Sequence, residues 1–358
     1  MARLAWLLLL ASSARADEWD DVTAFLDGFT NLTDCDGCNC VGCHGFAFTA
    51  GNASGRQYSY EKETTLSEHL VMASASKFPA AIAVAGAVAD EYLSFDTFAH
   101  DVFPWWAANA SDPRSGVTLR QLLSFTSGFY WYDASSGNVS CMDGISGSLR
   151  YTPEECAEQI YHNAPFPWSP GETFAYNSFH LQIAGAMAAK AAGLTVQQLL
   201  DKYLIGKLGL TSTGWLLGQN PVLAAGMYTT ANEYDRILAS YLSYELLPEE
   251  VASQMEVDYL APPYAGEICD WCVDLAPYFG HYSMCNWYEC LHDNATDGRF
   301  TPACTAQRIH MDLGLFGYYP LIDRAKGLYL QAAMRGSRLG QPPYEAAPVR
   351  GGPLWRPF

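Results

Sequence analysis

Ser74-Ala75-Ser76-Lys77 runs directly into Phe78-Pro79-Ala80-Ala81-Ile82-Ala83-Val84-Ala85-Gly86-Ala87-Val88-Ala89. The alanine-rich, nearly uncharged run predicts a helix opening near Ser74 and ending at about Val88. Its apolar part, Pro79 to Ala89, has the length of a core helix and is too short to span a bilayer, which takes ~20 residues. A helix puts positions i and i+3 on one face, so Lys77 stands one turn from Ser74. A serine hydroxyl is a poor nucleophile until a base lies within hydrogen-bond reach. A lysine shielded from water can be neutral enough to be that base, and unpaired N–H groups at a helix start favour negative charge beside the Ser74 oxygen. The four-residue pattern is short, and Ser59-Tyr60-Glu61-Lys62 repeats it in strand-like sequence where the helix argument does not apply.

The surroundings predict how that helix is housed. Before it, Gly45 to Gly51 and Arg56 to Glu61 read as two strands joined by hairpin residues Asn52-Ala53-Ser54-Gly55, and Asp20 to Phe29 has helical apolar spacing. After it, helical patterns dominate from Leu119 to Leu242, punctuated at Ser135-Ser136-Gly137 and Ser169-Pro170-Gly171. Leu313 to Ile322 and Gly327 to Met334 then read as two more strands, joined at Asp323-Arg324. Strands open and close the chain around a helical block. The economical solution is an α+β fold: one antiparallel sheet built from both chain ends, helices packed on it, and a mainly helical insertion beside it. A cleft between the two parts is where a site would form. The expected layout is 1–16 signal peptide, 17–43 N-terminal helix and cysteine cluster, 44–90 with 305–335 the sheet domain, 91–268 the helical domain, 269–304 a Cys-rich loop, and 336–358 a Pro/Gly-rich tail.

Composition narrows the function classes. The 358 residues are 49% hydrophobic and 14% aromatic, which suits a packed core. Lys and Arg number 20 against 38 Asp and Glu, and the resulting −18 repels phosphate backbones, so nucleic-acid binding is excluded. Arg3, the apolar run Leu4 to Ala11 and the small-x-small site Ala14-Arg15-Ala16 read as a secretory signal cleaved before Asp17. Loss of the two positive charges Arg3 and Arg15 takes −18 to −20. No later stretch is apolar and long enough to anchor the protein, so it is expected outside the cell without a membrane anchor. The eleven cysteines, Cys35, Cys38, Cys40, Cys43, Cys141, Cys156, Cys269, Cys272, Cys285, Cys290 and Cys304, agree with export. The Cys35–Cys43 cluster has spacing that four-thiolate zinc or disulfides would both satisfy, and export favours disulfides. Cys269/Cys272 and Cys285/Cys290 lie in a Trp/Tyr-rich loop that needs staples, and the odd count leaves one thiol unpaired within the chain. Sequons at Asn31, Asn52, Asn109, Asn138 and Asn294 add candidate glycan sites.

Several segments then fall in a telling order: Leu93-Ser94-Phe95-Asp96, Leu122-Leu123-Ser124-Phe125-Thr126-Ser127-Gly128, Ser169-Pro170-Gly171-Glu172-Thr173-Phe174-Ala175-Tyr176-Asn177-Ser178, Ile183-Ala184-Gly185-Ala186, Gly193-Leu194-Thr195, Leu208-Gly209-Leu210-Thr211-Ser212 and Gly314-Leu315-Phe316-Gly317-Tyr318-Tyr319-Pro320. With Ser74 and Lys77, this series resembles the serine beta-lactamase-like family, which includes class C beta-lactamases, D-alanyl peptidases, D-aminopeptidases and esterases. The resemblance runs from about Gly45 to Met334, and the order of the motifs is far more specific than any one of them. It implies that Ser74 is acylated, that Lys77 is its partner, and that Tyr176 shuttles protons. That last role asks for a phenol whose pKa is lowered by the nearby lysine.

Two departures bear on the substrate. The family's Tyr-x-Asn ends here in Ser178, with Asn177 beside it, so both are candidate substrate contacts. The family's Lys/His-x-Gly motif is blurred to His310-Met311-Asp312-Leu313-Gly314. His310 and Gly314 are carried as substrate-binding candidates, and the amide near Leu315 as the second oxyanion donor. Asp312 would put negative charge where the family holds substrate carboxylates, which argues against penicillins and D-Ala-D-Ala peptides. In addition, Gly336 to Phe358 shows no counterpart of the family's closing helix.

Rival chemistries lack their residues. No serine has a Gly-x-Ser-x-Gly context, the eight histidines are scattered, and no Gly-rich phosphate loop follows a strand. The sequence therefore predicts a secreted serine hydrolase acting on small ester or amide substrates through an acyl-enzyme, without metal or organic cofactor. The alternative is a protein of the same fold with an impaired site and a binding or structural role. Oligomeric state is left open.

Overall fold

The computed structural model describes residues 19–27, 45–130, 139–216, 218–260, 267–268, 281–289, 302–314 and 316–334. The expected signal peptide, the Cys35–Cys43 cluster, Cys269, Cys272, Cys290, Leu315, the sequons at Asn31, Asn138 and Asn294, and the Pro/Gly-rich tail lie outside those residues.

Helix α1 (Trp19–Asp27) is followed by strands β1 (Phe46–Asn52) and β2 (Gly55–Lys62), which form the hairpin that the Asn52–Gly55 turn residues predict. Strands β8 (Trp287–Glu289), β9 (Ile309–Met311), β10 (Tyr318–Asp323) and β11 (Leu328–Met334) complete a six-stranded sheet in the order β2-β1-β11-β10-β9-β8. Every described strand pair in it is antiparallel, so the two chain ends do build one sheet. Strands β1 and β11 run side by side in its middle, with Thr49 opposite Gln331. β1 is buried at six of its seven positions, whereas β2 alternates as an edge strand does.

α1 lies against β2. The Trp19 ring stacks on Tyr58 at 4.7 Å between centroids, and the Tyr60 hydroxyl donates to the Asp27 carboxylate at 2.6 Å. α7 (Ala231–Leu242) packs against β1, β2, β10 and β11. A buried polar set fixes its register: Thr49 Oγ1 donates to Asp235 Oδ1 at 2.6 Å, and Arg56 Nε reaches Asp235 Oδ2 at 2.9 Å.

Between the sheet's two halves of sequence lie α2 (Lys77–Ala89), α3 (Leu119–Leu123), α4 (Pro153–Asn163), α5 (Phe179–Ala191), α6 (Val196–Leu200) and α8 (Glu249–Met255), alongside α7. The starts of α3, α4 and α6 carry Thr118/Gln121, Thr152/Glu155 and Thr195/Gln198 capping boxes, which satisfy the first orphan N–H groups. α2 and α5 are buried on every side over most of their length, as the predominance of Ala and other apolar residues around both helices dictates. One disulfide, Cys141–Cys156, ties the segment before α4 to α4 itself.

The sequence expectation differs from the structure in two respects. The predicted strand Leu313 to Ile322 begins at Tyr318, because the chain folds back before it: the Gly317 N–H bonds the Gly314 carbonyl, with Gly317 at φ +91°. The helical block also holds short strands: β4 (Thr173–Phe174), β5 (Gly214–Trp215) and β6 (Met227–Thr229). β6 pairs with β3 (Leu70–Val71) and β5, and β4 pairs in parallel with β7 (Glu267–Ile268). Strands of two or three residues are too short to show an alternation.

Candidate active site

β3 delivers the chain into a single 3-10 turn, Ala73–Ser76, that becomes α2 at Lys77. Ala73 sits at φ +47°, in the left-handed region that a side chain disfavours. Bonds on either side hold it there: Met72 N–H donates to the Met227 carbonyl at 2.9 Å, and Ala75 N–H to the Met72 carbonyl at 3.2 Å. Ser76, fully buried, accepts the Met227 N–H on its hydroxyl at 3.0 Å. The small β3-β6-β5 sheet thus grips both ends of the turn and leaves Ser74 half-buried and open to the surface.

Lys77 is 3% exposed. Its Nζ stands 3.0 Å from Ser74 Oγ and donates to the Ala224 carbonyl at 2.9 Å. Burial pulls the ammonium down to about 8, against the opposing pull of the Asp312 carboxylate. Tyr176 lies between β4 and α5, and its hydroxyl is hydrogen-bonded to Ser74. Lys77 Nζ sits over the Tyr176 ring, 4.7 Å from its centroid. Trp287 of β8 stacks on the other side at 5.2 Å, and Tyr282 and Phe125 wall the ring edgewise or tilted. The structure therefore brings Ser74, Lys77 and Tyr176 together. It corrects one expectation: the Tyr176 phenol is pushed up rather than down, because burial dominates. Tyr176 is a neutral phenol in the resting site.

The neighbouring candidates separate. Asn177, expected to meet substrate, is 6% exposed and engaged within the fold. Its amide donates to the Phe129 carbonyl at 3.1 Å, and its Oδ1 accepts the Phe179 N–H at 3.0 Å, starting α5. Ser178 is half-buried, and its hydroxyl does not cap α5. His310, also expected to meet substrate, is 3% exposed on β9, between Ile322 and Tyr288 on the flanking strands. Its Nδ1 bonds Asn286 Oδ1 at 2.8 Å, Nε2 has no partner among the described residues, and burial holds the ring neutral by lowering it to about 4. Gly314 does reach the site, with its Cα packed against Ala75 and the Met72 carbonyl of the Ser74 turn. The expected donor Leu315 lies outside the described residues.

Asp312 is the largest correction. Far from facing the cleft, it is 2% exposed beneath the start of α2, where Oδ2 accepts the Phe78 N–H at 2.9 Å. Its charge therefore does not meet substrate, and the argument against anionic substrates loses that support.

Further residues shape the site without an obvious sequence signal. His180 accepts from the Ser127 hydroxyl on Nδ1 at 2.8 Å and donates from Nε2 to the Ala175 carbonyl at 2.7 Å, which fixes the backbone next to Tyr176. Burial lowers this ring to about 3. Ala224 acts through its carbonyl, which any residue would supply. Cys285 is a free, buried thiol beside the site, so it is not stapled to Cys290. Among the described residues no group of His, Cys, Asp and Glu could hold a metal ion.

The beta-lactamase family model matches residues 59–276, more than half of the 358-residue chain, and the chain belongs to that family. No curated protein matches it. Among solved structures, a candidate beta-lactamase from Bacteroides dorei DSM 17855 aligns with 24% identity and TM-score 0.64, covering 90% of this chain and 91% of that one. EstCE1, a hydrolase with promiscuous acyltransferase activity, aligns with 16% identity and TM-score 0.63 over 82% and 88% of the two chains. A D-stereospecific amidohydrolase from Streptomyces sp. aligns with 17% identity and TM-score 0.58 over 82% and 89%. At these identities the likeness establishes the fold.

Proposed function

We propose that the protein is a secreted serine hydrolase that cleaves small esters or amides through an acyl-enzyme on Ser74. The observation that carries this reading is the 3.0 Å contact between Lys77 Nζ and Ser74 Oγ, with the Tyr176 hydroxyl on the same serine. Ser74 Oγ attacks the substrate carbonyl carbon while its proton passes to neutral Lys77 Nζ. The N–H group of Ser74, with a second backbone N–H expected near Leu315, holds the oxyanion. Collapse breaks the bond to the alcohol or amine, which leaves with a proton relayed from Lys77 through the Tyr176 hydroxyl. Water then repeats the sequence on the acyl-enzyme, releasing the acid and returning the proton to Ser74.

Two further observations shape the proposal. The segment from Ile309 to Gly314 carries no Lys or Arg, which favours substrates without a carboxylate beside the scissile bond. Export is supported by the Leu4–Ala11 signal pattern, the Cys141–Cys156 disulfide and the exposed sequon at Asn109. No described helix is long and apolar enough to cross a membrane.

The test is exposure of the purified protein to a serine-reactive fluorophosphonate, followed by intact mass and peptide mapping. One adduct on Ser74, lost in Lys77→Ala, is the expected result. A correctly folded protein that takes no adduct would overturn the hydrolase and leave a binding protein of the same fold.

A further inference from the structure

We propose that Asp312 is a positioning residue that acts through Lys77: its carboxylate caps the first turn of α2, and its charge sets the pH at which Lys77 gives up its proton. The proposal deepens the reading of Lys77 as the base for Ser74 and rests on it.

The geometry is that of a long-range cap. α2 begins at Lys77, and no side chain of the preceding residue bonds its open N–H groups. Such groups, left buried without partners, are costly. The Asp312 carboxylate arrives from the end of β9, 234 residues later in the chain, and takes the Phe78 N–H on Oδ2, while the Lys77 N–H is satisfied by the Ser74 carbonyl and Asp312 Oδ1 has no hydrogen-bond partner among the described residues. A carboxylate at a helix start also suits the helix dipole. It brings a titratable carboxyl group close to the buried Lys77 amine at the same helix end, a position where the dipole alone disfavours a cation. No carboxylate oxygen lies within 4 Å of Lys77 Nζ among the described residues, so the coupling acts through the field and not through a direct ion pair.

The two groups oppose each other in water-excluded surroundings. Burial pulls Lys77 down and pushes Asp312 up, while each holds the other's charged form in place. The other titratable side chains facing Asp312 are Tyr176, Tyr234, Tyr282 and Cys285. All four are driven upward by burial, so they stay neutral where Lys77 and Asp312 change state. When Asp312 is charged it retains the Lys77 proton. When Asp312 is neutral or absent, Lys77 becomes a free base at lower pH.

Asp312→Asn keeps an oxygen for the Phe78 N–H and removes the charge. The acid limb of kcat/KM is expected to move down by about one pH unit or more, the size a nearby opposite charge commonly produces, whereas a purely structural cap would lower the rate without moving the limb. Asp312→Ser, a second neutral capping residue, is expected to move it the same way. An unmoved limb in either folded variant would overturn the proposal. The coupling is also read without turnover, by NMR titration of 13Cε-labelled lysine and 13Cγ-labelled aspartate in the wild-type protein. Lys77 and Asp312 are expected to change within one shared pH window. Asp312 titrating alone in the ordinary carboxylate range overturns the proposal, even if neither variant folds. Loss of the fluorophosphonate adduct on wild-type Ser74 would strike the hydrolase reading instead, and the titration would still decide the Asp312–Lys77 coupling.

Discussion

A β-carbon on Gly314 would stand 2.2 Å from the carbonyl oxygen of Met72. The chain between β9 and β10 therefore rests directly on the backbone that leads into the Ser74 turn, with no room for a side chain between them. This contact explains why a glycine stands at position 314. It also means that the serine turn and the chain at Gly314 are set by one backbone-to-backbone fit.

Gly314→Ala must push that fit apart, since the obstacle is backbone and cannot rotate away. Overpacking of this kind costs about 1–3 kcal/mol, and a misplacement near 1 Å can lower rate by about a hundredfold. The expected outcome is a protein that still folds, with kcat/KM for a model ester down by one to two orders of magnitude. Wild-type turnover in Gly314→Ala would mean that the two backbones are not in contact.

Tyr176→Phe removes the phenol while keeping the ring that Trp287 and Lys77 contact. Loss of a positioned proton relay commonly costs about 10²–10⁴-fold. The loss is expected in kcat, with melting temperature little changed. Because the resting phenol is neutral, no limb of the wild-type pH profile near neutrality should disappear in the variant.

His180 and His310 are buried with folded values of about 3 and about 4, below the ordinary 6.5. Between those values and 6.5 the unfolded chain binds protons that the folded chain refuses, so stability falls as pH drops below about 6.5. Together the two rings represent several kcal/mol, to order of magnitude, by pH 4. Urea melts from pH 7 to pH 4 should show a steadily falling midpoint. A flat midpoint across that range would indicate that both rings protonate within the fold.

The Cys141–Cys156 bond closes a sequence separation of 15 residues. In the chain-entropy account a loop of that length is worth about 3 kcal/mol. Cys141→Ser with Cys156→Ser should lower the unfolding free energy by about that amount and leave fluorophosphonate labelling of Ser74 intact below the melting temperature. Loss of labelling in the folded double variant would tie this crosslink to the site itself.

Ser74, Lys77 and Tyr176 were legible because each lies in a short local pattern: a helix start for the first two, and the approach to α5 for the third. The hairpin, the alanine-rich α2 and the long β11 were legible for the same reason. What stayed hidden depends on which way a residue faces once the sheet is assembled. Asp312 and His310 share strand-like sequence with Gly314, yet both point into the core, and no periodicity over three residues of β9 could show it. Asn177 and Ser178 are adjacent and chemically alike, and only the start of α5 decides that the amide turns inward. The direction of the Tyr176 shift also needed burial, which a count of nearby charges leaves out.

The sheet that joins the two ends of the chain has a consequence for how activity begins. During synthesis Ser74 and Lys77 leave the ribosome early, but Asp312, Gly314 and the strands that hold them follow more than two hundred residues later. Until then α2 lacks its cap and the serine turn lacks its floor. Pairings of such long sequence separation form slowly, so a nascent or truncated chain carries Ser74 and Lys77 without the contacts that hold them in place. The surroundings of Ser74 and Lys77 are thus completed only when the last strands pair, after more than two hundred further residues have been made.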